Sequence, residues 1–599
     1  MSGMQAPRTT ITQAIQRVPL TIWTSALIAV AAWWSLGISL GQSTEANFSI
    51  PHHSVNLTIW PGNQSLTCSD SFTVQSNSPN LDQIDLLLSD MEEVVFKSSG
   101  QALEWQRENL GSNISRIKLK LPQALPENHT TTVVFSAKKD RYQFPMSFQG
   151  YFFGSYGQVG EESTFSSHIR YYPTDTRNDA TGEMQITVPR GYVAVSVGVL
   201  LSIRQEEETV TYTWATNIST PRILPFGFAV ARYRQVETQS GKGTPVQLYY
   251  REGEEQRAND TLKVARDAVD FCEELFGKCP FEKVAIAHIY PERNAEAPWA
   301  VSLPTLILIS DWFFDKPLSY NFDDDPVEKS MDGALVIVDE ISHQWNGYGI
   351  GFPNELAEGF AQYTDTLFAE RHSKNGERTL QRHMQYYEEI YKQMIGLFPD
   401  APISSPQVYN TSAYLGIAFC KGAMVLNMLR YVTTDQVFFS ALEDLFTTRR
   451  GIRNSYPDLQ AVMEKHFGSS LGWFFEEWYN QTGYPAYQVT MRVLDEEGPP
   501  YGVEVCIAQL QEGYVYTMPL DVTIFCQGGS EAFPRIMVDS ANFTIPLRLG
   551  SKPFSARIDL DENLLKDARY PAGEITILGA LLFLALTTII RMPSHTSLS

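Results

Sequence analysis

Cysteine is scarce in this chain, with six residues among 599. So few cysteines exclude a disulfide scaffold, and a chain of this length must depend on a hydrophobic core. Basic residues are also outnumbered, because 46 lysines and arginines stand against 68 aspartates and glutamates, and the formal net charge is -22. A nucleic-acid-binding protein needs a basic face to neutralise phosphates, so this balance argues against that class. We also find no internal repeat and no low-complexity segment.

Apolar content is ample by contrast. Hydrophobic residues make up 43% of the chain and aromatic residues 12%, which is typical of a packed globular protein. At about 100–200 residues per domain, this length predicts several domains.

The N-terminal end carries an uncharged run over residues 19–41, preceded by Arg8 and Arg17. The run is long enough to span a bilayer. It predicts either a signal anchor or a signal peptide that is cleaved near Ser39-Leu40-Gly41.

The C-terminal end carries a second apolar run over residues 575–590, followed by Arg591. We interpret it as a transmembrane segment, and the alternative is a buried terminal helix. Two spans would leave both short basic ends inside and the bulk of the chain extracytoplasmic, on a lumenal, cell-surface or periplasmic side. The expected partners therefore include a membrane, crossed once or twice.

Ten sequons of the N-x-S/T type lie between the two apolar runs, where chance predicts about three. They support an extracytoplasmic location and predict glycosylation. The alternative is an unglycosylated exoprotein rich in serine and threonine. The ten acceptors are Asn47, Asn56, Asn63, Asn113, Asn128, Asn217, Asn259, Asn410, Asn480 and Asn542.

The periodicity of apolar residues divides the chain. Short alternating runs predict strands up to about residue 240 and again from 485 to about 560. Between them, spacings of three and four predict helices at 257–276, 331–346, 355–371, 376–396, 413–432, 434–447, 456–467 and 470–481. We therefore place a tail with the first apolar run at 1–45, an N-terminal β domain at 46–240, a mainly helical domain at 241–484, a small β domain at 485–566, and the C-terminal segment at 567–599.

Four of the six cysteines are disulfide candidates in an oxidising compartment. Cys272 and Cys279 are close in sequence across a predicted helix end, while Cys506 and Cys526 lie on two strands that could pair.

The chemically informative stretch runs from Val338 to Asn346. A zinc peptidase helix needs ligands at positions i and i+4, a glutamate at i+1 as general base, and often a glutamate from the next helix. His343 occupies i+4, Glu340 occupies the base position and Glu358 can supply the third ligand. Position i, however, is Asp339.

Five segments within and around this motif are informative. His343-Gln344-Trp345 and Leu356-Ala357-Glu358-Gly359-Phe360-Ala361 flank the site, and the others are Phe276–Lys283, Lys421–Leu429 and Trp478–Pro485. Together they resemble the gluzincin aminopeptidase family, the group of membrane alanyl aminopeptidase and leukotriene A hydrolase, over roughly residues 46–565.

The resemblance implies a multidomain α+β fold. It consists of an N-terminal, saddle-like β-sheet domain, a thermolysin-like, mainly α catalytic-type domain and a small β-sandwich domain, with apolar membrane segments at both ends. The resemblance also implies metallopeptidase chemistry with zinc as the cofactor.

The chain departs from the family pattern at three positions. Asp339 replaces the first zinc histidine. Phe419 stands where the family has a tyrosine, and Tyr414 would lie about 140° away around an α-helix. The family's amine-binding glutamate aligns with Ala297 or, in a second alignment, with Ser302.

These departures predict a membrane-tethered pseudopeptidase that binds a peptide or a protein in the former catalytic cleft, with no cofactor expected. The alternative is an active metallopeptidase with an Asp339/His343/Glu358 site, Zn2+ bound and Glu340 as general base. A third possibility is a structural subunit of a membrane complex, its cleft closed by side chains such as Phe419.

Overall fold

The structure is a computed structural model that describes residues 47–571, with gaps at 112–113, 141–142, 149–153, 168, 176–179, 217–225, 291–299, 316–317, 319–321, 323–332, 406, 409–410 and 496. Both apolar end segments lie outside the described residues, and so do Ala297 and the sequons at Asn113, Asn217 and Asn410. The remaining predicted site residues are described.

The N-terminal region is built from strands whose residues alternate between core and solvent. In the first strand Val55, Leu57 and Ile59 are buried while Asn56 and Trp60 are exposed, as a half-buried sheet requires. The strands are β1 (Phe48–Trp60), β2 (Ser65–Ser76), β3 (Leu81–Ser89), β4 (Glu92–Ser98), β5 (Gln101–Ala102), β6 (Trp105–Gly111), β7 (Ile114–Leu125), β8 (Thr130–Asp140), β9 (Gln143–Phe148), β10 (Gly154–Gln158), β11 (Thr164–Ser167), β12 (Thr181–Pro189), β13 (Val193–Ser196), β14 (Val199–Gln205), β15 (Thr209–Thr216) and β16 (Phe228–Ala231).

These strands form three sheets. The largest has eight strands in the order β14-β15-β12-β1-β2-β8-β4-β5, and the others run β13-β16-β11-β10-β9 and β3-β7-β6. A one-turn 3-10 helix, Pro61–Asn63, joins β1 to β2. The predicted N-terminal β-rich domain is therefore confirmed.

A mixed sheet opens the central region, in the order β17-β18-β19-β21-β20. Its strands are β17 (Tyr233–Gln239), β18 (Pro245–Arg251), β19 (Val284–Ile289), β20 (Ala300–Leu303) and β21 (Leu306–Ser310). The three inner strands run parallel, and β17 and β20 flank them antiparallel. The predicted boundary at residue 241 falls inside the β17–β18 hairpin.

Helices make up the rest of the central region. They are α1 (Glu255–Phe276), α2 (Asp311–Phe314), α3 (Gly333–His343), the π-helix π1 (Gln344–Gly349), α4 (Asn354–His372), α5 (Gly376–Leu397), the π-helix π2 (Leu415–Lys421), α6 (Gly422–Thr433), α7 (Asp435–Thr448), α8 (Tyr456–Phe467) and α9 (Gly472–Tyr479).

Local signals set several helix ends. Ser455 and Asp458 form a capping box at the start of α8, and Gly468 ends that helix with a φ of 80°, a conformation that favours glycine. Gly277, also at a φ of 80°, ends α1.

The C-terminal region is a sandwich of two sheets, in the orders β26-β23-β22-β28 and β25-β24-β27. The strands are β22 (Ala486–Val493), β23 (Tyr501–Gln509), β24 (Met518–Cys526), β25 (Gly529–Val538), β26 (Asn542–Leu549), β27 (Pro553–Ile558) and β28 (Asp567–Arg569).

The two predicted disulfides, unlike the predicted β-rich N-terminal domain, do not appear in the structure. All six cysteines are free thiols, so neither predicted disulfide is formed. The prediction that the strands of Cys506 and Cys526 pair is wrong, because β23 and β24 belong to different sheets. Burial raises the pKa of Cys272 well above its usual range and that of Cys279 to about 12, which disfavours the thiolate that disulfide chemistry needs.

One segment among the described residues, Leu415–Thr433, is long and apolar enough to cross a membrane. It is 83% buried inside the protein, which is typical of a core helix. It therefore adds only weak support for a membrane protein.

The described sequons are accessible on the surface. Six of the seven acceptor asparagines are exposed and Asn480 is half-buried. Glycosylation itself stays a prediction.

Two glycines set the distance between α4 and α6. A Cβ atom on Gly422 would lie 2.9 Å from Cα of Gly359, and a Cβ atom on Gly359 would lie 3.0 Å from the backbone of Gly422. Because the two backbones touch at this point, neither helix accepts a side chain there.

A buried lysine joins the N-terminal region to the central region. Lys283 Nζ donates a hydrogen bond to the Ser196 carbonyl at 3.2 Å and lies 4.1 Å from the ring centroid of Trp214. Burial lowers the pKa of Lys283 to about 7.

We predict that Gly422→Ala destabilises the protein by about 1–3 kcal/mol, since the added methyl group overpacks the helix contact. Gly396→Ala on α5 is the matched control, because nothing lies within 4 Å of its Cβ position, and it should stabilise the protein by about 0.5–1 kcal/mol. Urea unfolding followed by circular dichroism measures both. Equal effects from the two substitutions would contradict the contact.

We predict that the unfolding free energy rises with pH between about 7 and 10 because of Lys283. Over this interval the unfolded chain still holds a proton that the native Lys283 has released, so the unfolded state binds more protons and stability increases with pH. Lys283→Met removes this contribution and keeps the contact with Trp214. The variant should exceed the parent in stability most at pH 6 and least at pH 10, in urea titrations at each pH. A constant difference across that range would rule the effect out.

Candidate active site

The ends of α3 and α4 bring three of the predicted residues together. His343 Nε2 lies 3.6 Å from Asp339 Oδ2 and 3.7 Å from Glu358 Oε2. The Asp339 and His343 side chains keep 20% and 13% of their exposure, so they reach a solvent-accessible cleft, while Glu340 and Glu358 are buried. The predicted constellation therefore exists as a spatial cluster.

Burial controls the protonation of this cluster. It raises the pKa of Asp339 to about 7. The pKa of Glu340 is raised well above its usual range by burial and then by the Asp339 charge, against a hydrogen bond from the Ser302 backbone. Burial lowers the pKa of His343 to about 4, while a side-chain hydrogen bond with Asn346 acts in the opposite direction. Near neutral pH the histidine is therefore uncharged.

Asp365 is a further member of the site that sequence reasoning missed. It lies on α4, seven residues after Glu358, and accepts hydrogen bonds from Gln362 Nε2 at 2.9 Å and Thr366 Oγ1 at 3.1 Å. Burial and then the charge of Asp339 raise its pKa well above the usual range. The seven-residue spacing on one helix face is the signal that could have found it.

Asp365 is relevant to the site because it interacts electrostatically with Asp339. Carboxylates beside metal sites commonly accept the second N–H of a ligating histidine. Asp339 offers no such N–H, and its charge adds to the effect of burial in raising the pKa of Asp365. The aspartate at position 339 therefore changes the set of possible metal ligands, and it also lacks the N–H that a neighbouring carboxylate would accept from a ligating histidine.

Ser302, the second candidate for the amine-binding position, is engaged within the protein. Gln344 Nε2 donates to Ser302 Oγ at 2.6 Å and to the Leu303 carbonyl at 3.0 Å. Tyr348 donates its hydroxyl hydrogen to the Ser302 carbonyl at 2.7 Å. Ser302 is therefore a structural residue of β20. Ala297 lies outside the described residues.

Gln344 also fixes the turn that follows β20. Its Oε1 accepts from the Thr305 N–H at 2.8 Å, and the Thr305 hydroxyl accepts from the Gly198 N–H at 2.7 Å. Thr305 has a φ of 68°, a strained conformation for a β-branched residue. These bonds hold the strained turn against the helix that carries His343.

Phe419 is buried on π2, and its ring centroid lies 6.0 Å from that of Tyr414 in an edge-to-face contact. The prediction that the two residues point about 140° apart is wrong. The Gly422 N–H bonds to the Ile417 carbonyl, five residues back, and such π spacing places residues i and i+5 one turn apart.

The donor set does not match the zinc set that the resemblance implies. Zinc sites of this kind use two imidazoles and a carboxylate, whereas this cluster offers one imidazole and two carboxylates. Among the described residues, no three His, Cys, Asp or Glu side chains form a group that could hold a metal ion. We therefore derive no catalytic step through zinc, and the expectation of no bound cofactor stays a prediction.

Comparison with known proteins confirms the family resemblance. The family model named peptidase family M1 domain matches residues 312–478, the part that holds the site and the helices around it. The gluzincin aminopeptidase assignment is therefore supported by the chain's sequence as well as its fold.

Three curated relatives and one solved structure illustrate the match. Glutamyl aminopeptidase of Bos taurus is 22% identical over 57% of this chain and 37% of its own length. Aminopeptidase A of Gloydius brevicauda is 23% identical over 60% and 40%. The thyrotropin-releasing hormone-degrading ectoenzyme of Rattus norvegicus is 24% identical over 63% and 38%. The chain thus matches about two fifths of the length of these relatives.

The solved structure is that of Legionella pneumophila aminopeptidase A in complex with aspartic acid. It superposes with a TM-score of 0.69 at 16% identity, over 88% of this chain and 60% of that one. At that identity it shows the fold alone, an N-terminal β-rich domain followed by a helical domain.

We predict that Gln344→Leu destabilises the protein by about 2–4 kcal/mol, because it leaves the Thr305 N–H and the Ser302 hydroxyl without their partner in a buried place. Tyr348→Phe is the control, since it removes a single hydrogen bond to the same strand and should cost about 1 kcal/mol. Chemical denaturation measures both. A Gln344→Leu effect no larger than that of Tyr348→Phe would show that the turn does not depend on Gln344.

Proposed function

We propose that this chain is a membrane-anchored ectodomain of the aminopeptidase family that acts as a pseudopeptidase and binds a peptide or a protein in its cleft. The observation that carries the proposal is the set of side chains around His343. Asp339 and Glu358 lie 3.6 and 3.7 Å from His343 Nε2, so the cluster has one imidazole and two carboxylates where a zinc peptidase of this kind has two imidazoles and one carboxylate.

The other two departures support the same reading. Phe419 has no hydroxyl with which to stabilise a tetrahedral intermediate, and loss of one such donor typically costs about 10²–10³ in rate. Ser302 is buried and its hydroxyl is neutral, so it supplies no carboxylate with which to bind a substrate's amino group. Three separate roles of the family site are therefore altered.

Binding of a peptide does not require the hydroxyl that stabilises a tetrahedral intermediate or the glutamate that binds the amino group. The β20 wall of the cleft is held by hydrogen bonds from Gln344 and Tyr348, and Asp339 and His343 remain accessible from solvent. A peptide could therefore contact the cleft without being cleaved.

The alternative is an active metallopeptidase with Glu340 as general base. The observation in its favour is that Asp339 and Glu358 lie 3.6 and 3.7 Å from His343 Nε2. Ligands of a tetrahedral zinc ion at about 2.0–2.2 Å lie about 3.3–3.6 Å from one another, so these side chains would have to move slightly closer to hold the ion.

Membrane anchoring rests on the apolar runs at 19–41 and 575–590 with their basic flanks. The surface position of the described sequons supports an extracytoplasmic ectodomain. These parts of the proposal do not depend on whether the site is active.

The test is the metal content of the purified full-length chain in detergent, together with hydrolysis of a mixture of unblocked peptides followed by mass spectrometry. We expect substoichiometric zinc and no cleavage above that of Glu340→Gln. Stoichiometric zinc with cleavage that Glu340→Gln abolishes would establish the alternative instead.

Asp339→His is the positive control of the same experiment. It restores the second imidazole and gives Asp365 an N–H to bind, so zinc affinity should rise by at least about tenfold. The Asp339→Asn variant has a similar size and no imidazole, and it should leave zinc binding unchanged.

A further inference from the structure

The C-terminal sandwich has one end at which strands of both sheets meet loops. In the first sheet β22 ends just before Leu494, whose N–H donates to the Gly502 carbonyl at 2.8 Å. β26 ends there too, since its Leu549 pairs with the first residue of β23. The β24–β25 turn of the second sheet lies at the same end, because the Gln527 N–H donates to the Lys552 carbonyl at 2.8 Å. We call this end, from Leu494 to that turn, the sandwich tip.

Apolar side chains reach the surface at the sandwich tip. Leu494 keeps 55% of its exposure, the largest value for a large hydrophobic side chain among the described residues of the C-terminal region. Tyr501 is half-buried, and so are Phe525 and Phe554, whose ring centroids lie 6.4 Å apart. The neighbouring Lys552 is exposed. Leucine, aromatic rings and lysine together are typical of protein surfaces at the boundary between water and a bilayer.

The last strand of the sandwich runs toward this tip. β28 is parallel to β22, with Arg569 level with Gln488, and the apolar run at 575–590 begins six residues after Arg569. Six residues span at most about 22 Å. The six residues from Gln488 to Leu494 cover about 20 Å along the strand direction. A bilayer that holds the apolar run therefore lies within reach of the sandwich tip.

The sequons of this region agree with that orientation. Asn542 is the one sequon between residues 485 and 571. It pairs with Ala508, which pairs in turn with Gln488, so Asn542 is about 20 Å from the tip along the strands. Asn480 precedes the start of β22. A glycan is bulky and hydrophilic, and one at the tip would prevent contact with a bilayer, whereas one at Asn542 would not.

We infer that the sandwich tip docks on the surface of a zwitterionic phospholipid bilayer, with Leu494 inserted among the headgroups. Asp495 and Glu497 are exposed beside Leu494, so an anionic bilayer would repel the tip, and zwitterionic lipid is the surface that its charge fits. The inference rests on the proposed membrane anchor at 575–590. It is independent of whether the cleft binds or cleaves peptides.

The first test places a fluorophore on Leu494→Cys in the full-length chain, reconstituted in phosphatidylcholine vesicles. Part of the lipid carries a nitroxide near the top of its acyl chain, which quenches fluorophores close to the headgroups. Docked apolar side chains enter about 5–10 Å into the headgroup boundary, so we expect quenching by at least about twofold. The native cysteines give little background, because five are buried and Cys506 is half-buried, and the labelled parent measures it.

Met537→Cys is the matched control, since Met537 is an exposed apolar residue of the same sandwich, at 44%. It pairs with Pro519 near the start of β24. The seven residues from Pro519 to Cys526 at the turn place it about 23 Å from the tip along the strand direction. Its label should keep its fluorescence. No quenching at Leu494→Cys, or equal quenching at the two positions, would overturn the docking.

Flotation of the same vesicles after an alkaline wash separates the docking from the anchor on which it rests. A chain that floats without quenching at Leu494→Cys overturns the docking alone. A chain that does not float overturns the anchor and the docking together.

A second measurement asks whether Leu494 itself holds the tip on the bilayer. With the fluorophore on Lys552→Cys, Leu494→Asp should reduce the quenching to background, because a carboxylate is costly to insert among headgroups and acyl chains. Met537→Asp should leave it unchanged. Leu494 is exposed, so its substitution leaves the core intact. Quenching that persists in Leu494→Asp, or that increases when phosphatidylserine is added, would overturn the inference.

Discussion

The contact between Gly359 and Gly422 is the constraint on which the site's geometry depends. Gly359 follows Glu358, and Gly422 follows π2, so the close approach of the two backbones draws Glu358 and Phe419 to the same wall. A side chain at either glycine would separate α4 from α6 and widen the cleft. The family motifs around Glu358 and Lys421 therefore encode a packing contact as well as chemistry.

Packing holds the cleft together independently of any metal ion. Phe352 stacks on Phe360 with ring centroids 5.1 Å apart, and Trp345 Nε1 donates to the Gly277 carbonyl at 2.9 Å. Structural metal sites contribute their binding energy to folding, but here α3, π1 and α4 are joined by aromatic contacts and buried hydrogen bonds. These contacts do not involve the side chains of Asp339, His343 or Glu358, so they do not depend on which residue stands at position 339.

Much of the fold could be predicted from the sequence, because helices and strands of this chain bury one face. The apolar spacing at 456–467 predicted α8 with both ends correct, and 434–447 predicted α7 within one residue. Two features escaped this reasoning. The π-helices keep an apolar face much like that of an α-helix, so the approach of Tyr414 to Phe419 was hidden. Strand pairing is non-local, and the partners of Cys506 and Cys526 could not be read from their spacing.

The candidate site, like the fold, has residues that could be predicted from the sequence and residues that could not. Asp339, Glu340, His343 and Glu358 were found because a ligand pair at i and i+4 has a sequence signature, and the structure brings His343 to both carboxylates. Asp365 and Gln344 are not members of a ligand pair: Gln344 belongs to the His343-Gln344-Trp345 motif and Asp365 lies seven residues after Glu358, but neither pattern states which group the side chain supports. Gln344 and Asp365 nevertheless affect the hydrogen bonding and the protonation of the site. Gln344 binds the Ser302 hydroxyl and the Leu303 carbonyl of β20, while the pKa of Asp365 is raised in part by the charge of Asp339. An aspartate at position 339, where the family pattern has a histidine, therefore puts an acidic group in place of an imidazole and also acts on the protonation of a second carboxylate.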